Sequence, residues 1–198
     1  MKSIYIYGAS GHGLVVADIA LASGYENVIF VDDGENEFLT FEQIKDNIST
    51  PIAISIGDNR IRKIIFDKLK NHGFDMPALI HQSSIISKSA IIGNGTIIMP
   101  LVVVNAKAEI GNGAILNSSC VVEHECIIGD FVHISPSASL AGGVSVGDFT
   151  HIGIGSSVIQ KIKIGSNSII GAGSVVAVDI GNNKKAYGNP CKEIGDID

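Results

Sequence analysis

The sequence predicts a two-part chain: a small Rossmann-like α/β unit, then an all-β parallel solenoid. Three observations carry this. From Ile86 to Val176 every sixth residue is aliphatic, without a slip. Four residues after each of these stops sits a small or β-branched residue, such as Ala108, Cys120, Cys126 or Ala138. Ahead of the beat, short apolar runs alternate with helical patterns around a Gly-rich turn. A fixed short period marks a solenoid, because a helix repeats every ~3.6 residues and a strand alternates by two.

Residues 1–81 form the first unit. Ile4 to Tyr7 reads as a strand, Gly8 to Gly13 as a Gly-rich loop, and Leu14 to Ala22 as a helix. Val28 to Asp33 is a second strand ending in acids, and Ile52 to Gly57 a third. Arg60 to Asn71 predicts an amphipathic helix with Ile61, Ile64, Ile65 and Leu69 on its apolar face. Ala78 to His81 predicts a fourth strand that leads into the solenoid. Strands alternating with helices imply a parallel sheet of the Rossmann type.

Residues 82–198 form the solenoid and its tail. Each hexad predicts one short strand and one turn, and three hexads close a triangular coil. The aliphatic residue fills the interior, and the glycine that often follows it, as at Gly93, Gly111 and Gly147, is expected to permit the turn. Residues eighteen apart then stack roughly 4.8 Å apart, over about five coils.

Composition narrows the function. A net charge of −6 and a pI near 5.4 give no basic patch for nucleic acid. Three cysteines are too few for a disulfide framework. Two of them, Cys120 and Cys126, fall on the small interior position and predict buried thiols in a reducing compartment. No apolar run approaches the roughly 20 residues of a membrane helix, so the chain is expected to be cytoplasmic.

Ligands of doubly wound sheets bind at the carboxyl ends of the strands. Here those ends carry Ser10, Gly11 and His12 in the loop, Asp32 and Asp33, and Gly57, Asp58 and Asn59. The loop offers backbone N–H groups at a helix N-terminus, which suits a phosphate, and the acids can take a ribose hydroxyl. The loop order is G-x-x-G-x-G, and the unit is small, so a single nucleotide such as UDP is expected and not NAD. A plain strand-to-helix turn and a solvated strand end are the alternatives. His12 either contacts the ligand or closes the turn.

In the solenoid the densest polar group is Glu123-His124-Glu125. The eighteen-residue column through it runs Ala106, His124, Gly142, Gln160. Small neighbours leave space around the imidazole, the shape needed for a general base; a surface histidine between two solvated acids is the alternative. The Gly142 N–H can meet a developing oxyanion, and a flanking carboxylate can fix the tautomer. A second column runs Ile115, His133, His151, Ile169. Metal ligands, a polar ladder and a ligand or subunit contact all fit it. The tight histidine pair of the γ-type carbonic anhydrases is absent, and no metal is expected. Ile97, Met99, Ile115, Ala141 and Ile169 lie outside the interior beat and predict side-by-side association as a homotrimer.

The whole chain resembles the bacterial sugar O/N-acetyltransferase family that includes sialic acid O-acetyltransferases. Tyr7-Gly8-Ala9-Ser10-Gly11-His12-Gly13, Asp32-Asp33, the hexads with Glu123-His124-Glu125-Cys126, and Tyr187-Gly188-Asn189-Pro190 carry the likeness. It looks closest to the UDP-4-amino-sugar N-acetyltransferases that make UDP-N,N'-diacetylbacillosamine. The resemblance implies a left-handed solenoid, a trimer with a groove between subunits, and acetyl-CoA as cosubstrate without a metal. It implies His124 as base, Glu125 as its supporting carboxylate, and Gly142 at the oxyanion. Ser10, Gly11, His12, Asp32, Asp33, Gly57 and Asn59 would bind a UDP-amino-sugar. His133, Gly142, Ile154 and Ala172 would line the acetyl-CoA groove. Cys191 departs from the tail motif, which usually has Ala after Pro. An O-acetyltransferase on a sialic acid, and a non-enzymatic nucleotide-sugar-binding solenoid, are the rival readings.

Overall fold

The computed structural model describes residues 2–197. A three-stranded parallel sheet has the order β2 (Asn27–Val31), β1 (Ser3–Tyr7), β3 (Ile52–Ile54). Central β1 is buried on both sides, as a covered parallel strand must be. Ile4 and Ile6 point into one core with Val16 and Ile19 of α1 (Gly11–Ala22). Tyr5 and Tyr7 point into the other, with Phe41 and Ile44 of α2 (Phe41–Ile44) and Phe66 and Leu69 of α3 (Asn59–Asn71). The short α2 has no periodic signal; Thr40 N donates to Gln43 Oε1 at 2.8 Å at its start.

The fourth strand, β4 (Leu79–Ile80), does not join this sheet. It pairs with Ile97–Ile98 and opens the solenoid. Ile80 stands six residues before Ile86, so it already keeps the beat. β4 and the two-residue strands after it form three parallel ladders of six, six and five strands, over about six turns. The first face carries β4 and ends in the C-terminal hairpin, Lys184–Gly188 against Cys191–Asp196. Leu116 pairs with Ile98 and Ile134, the eighteen-residue stacking that the beat implies. The aliphatic stops and the small residues, Cys120 and Cys126 among them, fill the interior.

The glycines that follow the stops have a different reason from the expected one. The left-handed backbone of each turn falls two residues further on, at Leu101, Lys107, Ser119, Glu125 and Phe131 as well as Gly95, Gly113 and Gly143. Gly93 and Gly147 are instead places of close stacking. A Cβ on Gly93 would lie 2.5 Å from the Gly111 backbone, and one on Gly147 2.5 Å from Ser166 N.

The α/β unit sits on the first face. Ile97, Met99 and Ile115 are buried beneath α1 and β1, so they do not form an association surface. The second face has an uncharged outer column of Val103, Val121, Ser139, Ser157 and Val175.

Helix α3 is turned relative to the expected face. Ile61 and Ile64 are 51% and 66% exposed, whereas Arg62 is fully buried beside Phe66 and Leu69. The solenoid meets α3 with backbone carbonyls, which an aliphatic side chain would leave unpaired and a guanidinium satisfies. Arg62 Nε donates to Gly113 O at 2.7 Å. Its terminal nitrogens donate to Ile56 O and Gly57 O at 2.9 and 3.0 Å, and to Asn59 Oδ1 and Phe131 O at 2.7 and 2.9 Å. Burial pushes its pKa down to about 10, so it stays charged at neutral pH. Asn59 extends the joint with a 2.8 Å bond to Phe149 O. Among the described residues no helix is long and apolar enough to cross a membrane.

Arg62→Ala strands several buried carbonyls, each worth roughly 1–3 kcal/mol. A fall in Tm on the order of 10 °C is expected in a thermal melt. A shift within 2 °C of the wild type, about half a kcal/mol, would show that the joint does not depend on Arg62.

Candidate active site

The described residues hold two candidate half-sites. The first lies at the end of the sheet, a cleft of about 330 Å³ lined by Tyr7, Gly8, Ser10, Asp32, Asp33, Gly34, Ser55, Ile56, Gly57 and Ile65. Ser10 caps α1 through its position only; its side chain makes no cap bond, and the first turn holds no acid. The N–H groups there are free to meet an anion. Gly8 and Gly13 are packing glycines, since a Cβ would lie 2.8 Å from Ser55 Oγ and 2.3 Å from Gly8 O. At Gly11 and Gly57 a Cβ would meet nothing within 4 Å. Those two leave backbone open to the cleft.

Asp32 braces the loop. Its Oδ2 accepts from Ala9 N at 2.9 Å, and its Oδ1 from Gly34 N and Asn36 Nδ2 at 2.9 and 3.0 Å. The Ala9 and Gly34 amides hold its carboxyl below the usual range. Gly57 and Asn59 border an adjoining cleft of about 320 Å³ with Arg60, Phe149, His151 and Asn167. The Asn59 amide is committed at both ends to the Arg62 joint.

His12 and His133 stand close together where this cleft meets the first face of the solenoid. His12 Nε2 and His133 Nδ1 are buried without a protein hydrogen-bond partner. The His133 ring lies 4.6 Å from that of His151, and its Nε2 is 3.2 Å from Asn117 Nδ2. His151 Nε2 is bound to Ser135 Oγ at 2.8 Å. Burial, the neighbouring histidines and Arg62 push His133 down to about 3. Burial and Arg62 lower His12 and His151 too. These imidazoles are neutral at pH 7. Among the described residues no group of three or more His, Cys, Asp and Glu could hold a metal ion.

The second half-site is the turn that joins the second face to the third. His124 lies there, 60% exposed by side chain, with Nδ1 3.3 Å from Glu125 Oε2. Glu125 takes the left-handed turn position. Glu123 Oε2 accepts from Asn105 Nδ2 at 2.9 Å and from His124 N at 3.3 Å. The imidazole rests over Gly142, where a Cβ would lie 2.5 Å from both His124 Cε1 and Nε2. Cys126 beside it is buried, donates to Ala141 O, and has its thiol pKa raised by burial, so it is no nucleophile.

Ile154 and the stacked Ala172 are exposed on the turns between the first and second faces, the side on which Asn117 also lies. The corner with His124 is opposite the first face of a triangular prism. One chain therefore holds its two half-sites on opposite sides.

A model of the PglD N-terminal domain matches residues 3–69, and one of the bacterial transferase hexapeptide, with six repeats, matches residues 89–124. A variant of perosamine N-acetyltransferase from Caulobacter crescentus, in complex with CoA and GDP-perosamine, superimposes with a TM-score of 0.94. It is 33% identical, with 99% of this chain and 98% of that one covered. The chain belongs to the PglD-type sugar N-acetyltransferase family. The acetyltransferase domain of PglB from Neisseria gonorrhoeae, in complex with acetyl coenzyme A, gives a TM-score of 0.91 at 36% identity, covering 98% of this chain and 99% of that one. UDP-N-acetylbacillosamine N-acetyltransferase of Bacillus subtilis is 39% identical over 114 residues. That match spans half of this chain and 52% of the relative.

Within this family architecture, sequence reasoning missed Asn117, Ser55 and Arg62. Asn117 pairs with His133 across sixteen residues, off the eighteen-residue column. Ser55 Oγ ties Tyr7 O and Gly8 O at 2.9 and 2.6 Å, and no motif announces it. Arg62 had a signal: it shares the spacing of Phe66 and Leu69, at four and seven residues.

The neutral histidines set a pH dependence. His133 titrates at about 3 folded against 6.5 in an open chain, so below pH 6.5 the unfolded state binds the extra proton. The stability is fully present above 6.5 and is lost as pH falls towards 3, at up to ~1.4 kcal/mol per unit for this one group. NMR of the folded protein is expected to show no His133 titration between pH 7 and 5. A His133 midpoint above 6 would overturn this.

Proposed function

We propose that this protein transfers the acetyl group of acetyl-CoA to the 4-amino group of a UDP-amino-sugar, UDP-2-acetamido-4-amino-2,4,6-trideoxyhexose. The observation that carries this is the full-length likeness to a perosamine N-acetyltransferase seen with CoA and a GDP-sugar. The choice of a UDP-sugar draws on the Bacillus subtilis relative, and the cleft volume of about 330 Å³ suits a single nucleotide.

His124 is the general base in this reading. With Nδ1–H towards Glu125, its Nε2 keeps a lone pair beside Gly142. The neutral amine attacks the thioester carbonyl, and the C–N bond forms as its proton passes to Nε2. The Gly142 N–H stabilises the oxyanion, and Glu125 the imidazolium. The C–S bond then breaks, and the proton leaves with the thiolate. Acetyl-CoA lies along Ile154 and Ala172, with His133 near its thioester. Ser10, Gly11, His12 and Gly57 hold the diphosphate, and Asp32 the ribose.

The opposed half-sites support a shared site. A homotrimer packed through the uncharged second face brings the His124 corner of one copy to the Asn117 and His133 side of the next. Such a head-to-tail contact is heterologous, and it closes into a ring when its rotation is threefold.

His124→Ala is expected to lower kcat by roughly 10²–10⁴-fold with the fold intact. Near-wild-type turnover in a folded variant would refute the base assignment. For the shared site, His124→Ala chains co-expressed with Asp32→Ala chains are expected to regain activity that neither has alone. Light scattering should read three times 20.7 kDa. An active monomer, or no regain in mixed oligomers, would contradict it.

A further inference from the structure

The nucleotide cleft carries an electrostatic problem. Two adjacent carboxylates, Asp32 and Asp33, stand on its wall, and no Lys or Arg is among its lining residues. A nucleoside diphosphate brings several negative charges to the same space. Unrelieved, two like-charged acids would repel it.

The two acids differ in their partners. Asp32 Oδ2 accepts only from Ala9 N among the described residues, which leaves it a lone pair for a ligand hydroxyl. Asp33 is saturated. Its Oδ1 accepts from Phe41 N at 2.8 Å, and its Oδ2 accepts from the Tyr7 hydroxyl in a short bond and from Lys68 Nζ at 3.1 Å. Lys68 Nζ is also 3.1 Å from the Tyr7 hydroxyl and 3.8 Å from the centre of the Phe41 ring. Its ammonium thus touches a carboxylate, a phenol and an aromatic face, with the side chain 31% exposed. Burial alone would push the Asp33 carboxyl up, yet the Phe41 amide, Tyr7 and Lys68 hold it below the usual range.

We infer that Lys68 is a positioning residue for nucleotide recognition: paired to Asp33, it cancels one of the two acids, so the cleft accepts a diphosphate and Asp32 alone reads the ribose. The resemblance implied that both acids bind the UDP-amino-sugar; in this inference Asp33 belongs to the charge balance of the wall instead. The inference rests on the nucleotide-sugar reading of the same cleft.

The test is calorimetry with UDP and with uridine, which share the nucleoside and differ in the diphosphate. In 20 mM salt, Lys68→Met is expected to weaken UDP binding roughly three- to tenfold. Uridine binding should stay within twofold. The UDP deficit should shrink at 0.5 M salt, where screening reaches only a few ångströms. Lys68→Arg should bind UDP as the wild type does, and adding Asp33→Asn to Lys68→Met should restore most of the lost affinity. Equal losses for UDP and uridine would make Lys68 a mere support of the fold and overturn the inference. Unchanged UDP binding by Lys68→Met would overturn it too, with the proposed function intact. A wild type that binds no UDP would overturn both.

Discussion

The relation between the two halves of this chain depends on one buried guanidinium. Arg62 donates to carbonyls of the solenoid at Gly113 and Phe131, and to carbonyls of the cleft wall at Ile56 and Gly57. Among the described residues it has no hydrogen-bonded carboxylate partner; four carbonyl dipoles and the Asn59 amide oxygen receive its N–H groups. That arrangement is directional. A carboxylate pair tolerates sliding, whereas five N–H bonds in a fixed fork tolerate little. The cleft wall at Gly57 is thereby held against the face that carries His133. Apolar packing of α1 on Ile97 and Ile115 supplies area, which is non-directional; Arg62 supplies the register.

The solenoid was legible from the sequence because its constraint is local and repeats. One aliphatic and one small residue per hexad are enough to specify the coil, and a run of hexads averages out exceptions. The turn chemistry was harder to read. Left-handed backbone falls on residues as different as Leu101, Glu125 and Phe131, and only the stacked coil makes that conformation worth its strain. The conspicuous glycines marked the tight spacing between coils instead.

The candidate catalytic group was legible for the same reason: a column of Ala106, His124 and Gly142 follows from the period alone. What the period does not contain is which side of the prism the other unit covers. Outward apolar residues such as Ile97 and Ile115 therefore read as free surface although α1 lies on them. Helix α3 misled for a related reason. Its aliphatic stripe looked like the buried one, but its neighbour is a row of carbonyls, and Arg62 is the residue that fits. The partners of Asp33 were invisible too, because Tyr7 and Lys68 lie twenty-six and thirty-five residues away.

The stacked register also governs how such a chain can change in length. Positions eighteen residues apart face the same way, so a coil is the smallest unit that can be gained or lost without rotating everything beyond it. An extra residue must bulge from a turn and remain outside the ladder. A whole extra coil beyond Val176 would lengthen the prism and leave His124, Gly142 and His133 in their mutual places. The same coil inserted between His124 and Gly142 would move these groups apart by a full strand spacing, roughly 4.8 Å. Indels among descendants of this sequence should therefore gather at turns or at the distal end, and the stretch around His124 should keep its length.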